Sequence, residues 1–181
     1  MDNTIKTYFT QLEEKDRNQQ YEAYQHLIAE MKSEVDWAYD VWDQLVEDLT
    51  DNDAHKRSRA AQFLSYLAIS DRENRILEDF EKVWQVTYDD KFVTARHTLQ
   101  VIWRIGLAGE KQELLVIDAL ATRYKTCTDE KNYTLIRNDI IQNLHHFYLE
   151  TQIENIKHIA MELIELENDP KYQKKYKKIW K

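Results

Sequence analysis

Glycine, proline and cysteine are all but missing from this 181-residue chain: it holds Gly106 and Gly109, Pro170 and Cys127, and no others. Tight hairpins and Rossmann-type turns lean on glycine, so its scarcity argues against both and for helices joined by short polar loops. A lone cysteine excludes an intramolecular disulfide and a cysteine-based zinc site. No stretch approaches the ~18 apolar residues that a membrane-spanning helix requires. The first residues, MDNTIKTYFTQLEEKD, show no basic segment followed by an apolar run, so no signal peptide and no membrane partner are expected, and the expected location is cytoplasmic. A Gly-rich phosphate loop, a nucleophile elbow and a Cys–His constellation are also absent, so no catalytic role and no cofactor are expected.

What is present is helix-forming. Leu, Ile, Ala, Glu, Lys and Gln are abundant, and apolar residues recur at i, i+3, i+4, i+7, as in Ala38, Val41, Trp42, Leu45, Val46 and Leu49. Polar stretches at 50–55, 70–74, 88–91, 128–132 and 167–170 divide the chain into about ten helices. Ser70 with Glu73 has the spacing of a capping box, and Asp169 before Pro170 reads as an N-cap and first helical residue. The fold class is all-α, and the length suits one domain with a substantial core.

A repeat runs through the helices. RAAQFL (59–64) aligns with EAYQHL (22–27), sharing Ala, Gln and Leu at the same offsets. Arg96, Arg137 and Lys175 follow Arg59 at intervals of 37 to 41 residues, and Asp53, Asp90 and Asp169 stand six positions before Arg59, Arg96 and Lys175. Two-helix units of this period, with a turn aspartate and a basic residue in the second helix, resemble the HEAT/armadillo class of helical repeats. The resemblance implies a right-handed α–α superhelix, or solenoid, of five units at about 1–33, 34–70, 71–107, 108–150 and 151–181. It also implies a structural ladder between neighbouring units, drawing on Asp53, Arg59, Asp90, Arg96, Arg137, Asp169 and Lys175. Glu22 and Lys131 depart from the pattern and weaken it in the first and fourth units. Arg57 has no counterpart, since Gln20, Thr94, Leu135 and Gln173 occupy its aligned positions.

Charge segregates along the same lines. The first helices with their turns (1–14, 34–53, 71–90, 108–131 and 151–169) carry −19 and the remaining stretches +11, which together recover the net −8. In solenoids of this class the second helices line the concave surface, so the resemblance implies a basic groove backed by an acidic outer face, and a cleft of one sign focuses potential. Tyr66 and Trp103 each fall seven residues after a series arginine, which predicts equivalent aromatic platforms in that groove, flanked by Lys56, Arg57 and Arg104. Trp37 lies off the apolar stripe of its helix and is expected to be exposed, whereas Trp42 and Trp84 belong to the core.

These five residues, Lys56, Arg57, Tyr66, Trp103 and Arg104, are the expected partner-binding set. Related enzymatic helical-repeat families are marked by His-Glu dipeptides that hold iron or by adjacent tryptophans with an aspartate, and this chain has neither. His145, His146, His97 and Asp139 make only a weak metal constellation, because adjacent histidines project to different sides of a helix. The expected function is a non-catalytic scaffold binding an acidic protein or peptide. Nucleic acid is the alternative partner.

Overall fold

Acidic residues start the helices. In the computed structural model, which describes residues 1–181, Asp2, Asp16, Asp53 and Asp169 each accept a backbone N–H two or three residues ahead and so begin α1 (Asn3–Gln11), α2 (Arg17–Glu30), α4 (Ala54–Leu67) and α10 (Pro170–Lys177). Pro170, which has no N–H to lose, takes the first turn of α10. Between these lie α3 (Ala38–Asp48), α5 (Arg75–Gln85), α6 (Phe92–Leu99), α7 (Glu110–Thr126), α8 (Tyr133–Thr151) and α9 (Glu154–Glu165). The remaining regular elements are short 3-10 segments, and there is no strand. The molecule is all-helical.

The helices pack in two interleaved series. α3, α5, α7 and α9 touch in succession, and so do α4, α6, α8 and α10, while α1 lies on α2 and α3 on α4. α2 reaches α4 through Tyr24, whose ring stacks on Phe63 and whose hydroxyl donates to Gln62 Oε1 at 2.6 Å. One apolar core runs between the series from Ile5 to Tyr176 without a break. The C-terminal segment belongs to it: Tyr176 is fully buried and its hydroxyl donates to the Thr134 carbonyl of α8.

Two local expectations fail. Trp37 is buried, edge-on to Phe9, because α1 covers the side of α3 that its own periodicity marks as outward. Ser70 and Glu73 form no capping box. Ser70 Oγ accepts the Val35 N–H, and Asp71 takes over the start of α5 by accepting the Ile76 N–H at 2.7 Å and the Tyr39 hydroxyl.

One irregularity shapes the side that α4 and α6 share. α6 stops at Leu99 after only eight residues, and the chain continues as a 3-10 segment, Ile102–Ala108. Asn143 of α8 occupies the break. Its Nδ2 donates to the Leu99 carbonyl at 2.6 Å, and its Oδ1 accepts the Trp103 N–H at 3.2 Å, so the backbone groups freed by the interruption are satisfied. Gly106 lets Phe147 of α8 close onto the segment, since a Cβ there would stand 2.3 Å from the phenyl ring.

Candidate functional site

Arginines join the successive helix pairs, with partners other than the expected ones. Arg57, which has no place in the repeated series, is held by Asp89 in the turn before α6: Nε and Nη2 donate to its two oxygens at 2.6 and 2.9 Å, and Nη1 donates to the Asp51 carbonyl. It is therefore not free for a partner. Arg59 reaches back to the Leu12 carbonyl and Glu13, both at 2.8 Å. Arg96 makes a two-pronged pair with the fully buried Asp139 of α8, at 2.7 and 2.8 Å. Arg137 donates to Glu167 at 2.9 Å and to the Tyr124 carbonyl. Each arginine of the series thus leaves its own helix pair, but none meets the aspartate aligned with it. Asp53 and Asp169 are occupied as helix caps, Asp90 is exposed 3.5 Å from Arg57, and Lys175 is exposed with no ion pair.

These pairs set the protonation chemistry of that edge. Asp89 lifts Arg57 further above its ordinary value, and Asp139 does the same for Arg96. Burial pushes the Asp89 carboxyl up, but hydrogen bonds from Arg57 and the Lys91 N–H outweigh it and hold the carboxyl below the usual range.

A groove of about 800 Å³ lies between α2, α4 and the end of α6. α2 contributes Arg17, Gln20, Tyr21 and Tyr24; α4 contributes His55, Arg59 and Gln62; His97, Gln100 and Val101 close the far wall. Tyr21, His55 and His97 are exposed on it. Lys56 stands at its rim, paired with Glu13 at 3.0 Å, and Glu13 also holds Arg59. Much of the basic charge expected here is thus already neutralised, leaving Lys15 and Arg17 as the cations of the lining that have no ion pair.

One helical turn beyond the groove, Arg104 sits on the same stripe. On α4 the stripe reads His55, Arg59, Gln62, Tyr66, and on α6 and its continuation it reads His97, Val101, Arg104. The Arg104 guanidinium carbon lies 3.9 Å from the centre of the Tyr66 ring and 5.1 Å from that of Trp103. Trp103 is only 7% exposed, tucked against His146 and Phe147. The expected pair of matching aromatic platforms is not formed. The groove-facing stripe of this segment already runs through His97 and Val101, one residue later than the repeat spacing from Arg59 places it, so Arg104, rather than Trp103, comes over Tyr66.

The Arg104 side chain makes no hydrogen bond, and its Nε is buried without an acceptor. Burial pulls this guanidinium below the ordinary arginine value, with Tyr66 and Glu150 of α8 acting against the shift. Among the nine arginines, seven have a carboxylate oxygen within 4 Å, and Arg17 and Arg104 do not. Arg17 is exposed, whereas Arg104 is half-buried.

Nothing brings the histidines and acids into a cluster able to hold a metal ion. Asp139 is committed to Arg96, His145 packs edge-on to Trp180, and His146 leans on Trp103. Cys127 is buried, and burial pushes its thiol up, away from the reactive thiolate. No helix is long and apolar enough to cross a membrane. Sequence reasoning missed Asn143 and Gly106, which shape the Arg104 segment; the one cue was a glycine inside an otherwise helical apolar pattern. No protein-family model matches the chain, and no curated protein matches its sequence.

Proposed function

We propose that this chain is a short HEAT-type helical-repeat module that binds an acidic protein or peptide along the face made by its even-numbered helices. The observation that carries the reading is the 800 Å³ groove, lined by α2, α4 and α6, beyond whose end the helical spacing of its side chains leads to Tyr66 and Arg104. Successive contact of α4, α6, α8 and α10 on one side and of α3, α5, α7 and α9 on the other supports the solenoid arrangement, in which such a row forms the inner surface. Exposed Tyr21 beside half-buried Tyr24 offers rigid aromatic area at low entropic cost, and Lys15, Arg17 and Arg104 offer cations without internal partners.

Nucleic acid is the weaker alternative. A phosphate backbone is held by a row of free cations, and the arginines of this face other than Arg17 and Arg104 already carry carboxylates. The test is fluorescence anisotropy with labelled acidic peptides and with single- and double-stranded oligonucleotides at ~50 and ~200 mM salt. Peptide binding that is lost on Tyr24→Ala is the expected result. Oligonucleotide binding that falls steeply with salt, with no peptide bound, would overturn the reading.

A further inference from the structure

Arg104 is in an unusual electrostatic position for a folded protein. A half-buried guanidinium gives up hydration, and that loss is normally offset by a carboxylate or by carbonyl acceptors. Arg57, Arg96 and Arg137 obtain such partners at 2.6 to 2.9 Å. Arg104 obtains none. It is held against Tyr66 and Trp103 by the faces of their rings, which leaves its in-plane N–H groups unused. Its Nε is sealed from solvent without an acceptor, so the two Nη groups are the donors that remain accessible. Glu150 lies within electrostatic range on α8 but does not close on the guanidinium. The group is positioned by packing, since Asn143 anchors the break before it and Gly106 brings Phe147 beneath its segment.

Resting on the peptide-binding reading, we infer that Arg104, held by the Tyr66 and Trp103 rings, is a carboxylate receptor: its two Nη groups take one Asp or Glu side chain of a peptide lying along the groove. The stripe from His55 to Tyr66 covers twelve residues of α4, roughly 16 Å from end to end at ~1.5 Å rise per residue. An extended peptide of about five residues covers that length. A carboxylate also fits the geometry better than a chain of phosphates, because the site holds one free guanidinium and not a line of them.

The test is a double-mutant cycle. Random hexapeptides displayed on phage are selected against the wild-type protein, and the affinity of the enriched sequences is measured for wild type and Arg104→Gln. Enriched peptides are expected to share one Asp or Glu. Arg104→Gln is expected to weaken their binding by about ten- to a hundredfold, as loss of a hydrogen-bonded charge pair does. Changing the peptide's Glu to Gln should cost the wild type the same factor and cost Arg104→Gln almost nothing. That peptide-side change keeps the test decisive even if the variant protein folds poorly. Enriched peptides without a shared acid, or costs that simply multiply, remove the receptor while leaving the groove as a peptide site. If no peptide is enriched, both readings fall.

Discussion

The two ends of the even-numbered helices treat arginine in opposite ways. At the turn end, Arg57, Arg96 and Arg137 are locked into carboxylates of the next helix pair, and Asp89, Asp139 and Glu167 are each buried or nearly so. At the far end, Arg104 leans on two aromatic rings and meets no anion. Both environments remove a guanidinium from water, but only the first returns the lost hydration as hydrogen bonds. The difference separates cations that bind the molecule together from one that is available to something outside it. Sequence neighbours illustrate it poorly: Arg59 is expected in the ladder and Arg57 at a partner, yet both are structural joints.

That contrast can be broken most sharply at the joint between the fourth and fifth helix pairs, where both partners are buried. Arg137→Met leaves Glu167 as an uncompensated charge, with an expected loss of ~3–5 kcal/mol in urea unfolding. Adding Glu167→Met should restore most of it, because the cost lies in the orphaned charge. A double variant as unstable as the single one would show that the pair itself supplies the stability. Next in size is Gly106→Ala. The added methyl collides with Phe147, so about 1–3 kcal/mol is lost, and the Arg104 segment shifts relative to Tyr66. Chemical shifts of the Tyr66 ring protons report the second effect.

Arg104→Met should change stability by less than ~1 kcal/mol, since the lost ring contacts are offset by the removal of an unpaired half-buried charge. A fall of several kcal/mol would place Arg104 with Arg137 and erase the contrast. The smallest effect is one of pH. Burial, reinforced by His146, lowers the His145 imidazole below its ordinary 6.5. The unfolded chain therefore binds the proton more readily, and stability declines as pH falls below about 6.5. Asp79 and Asp89 are likewise held below the ordinary 3.8, so the stability they contribute stays in place at that pH and is lost only as pH falls through their lowered values. His145→Gln should flatten the melting temperature between about pH 7 and 5 and leave the acid limb unchanged. If the wild-type curve is already flat there, the histidine carries no linkage.

Much of the helical framework was legible in the sequence because its signals are local. Asp169–Pro170 and the acidic turns marked helix starts through bonds that span two or three residues, and Trp42 and Trp84 declared themselves core by period alone. The charge pairs were misjudged for the opposite reason. An aspartate six residues before an arginine looks like a partner, but Asp53 is consumed by its own helix cap, and Arg59 turns to Glu13 forty-six residues away. The Tyr66–Trp103 equivalence failed because the groove face of α6 runs one residue out of step with the repeat spacing, through His97 and Val101 to Arg104, and helix packing rather than period sets that face. Trp37 looked free because the helix that covers it lies elsewhere in the chain.

By itself, the sequence determined that this chain is helical, roughly where its helices begin and end, and which faces are apolar. Those properties follow from short-range hydrogen bonds and the 3.6-residue period. Tertiary structure alone decided which cations are spent and which is spare. A guanidinium reaches several ångströms from its backbone, and its partner is set by which helix packs alongside. Only in the packed chain does Arg104 become the half-buried arginine without an anion.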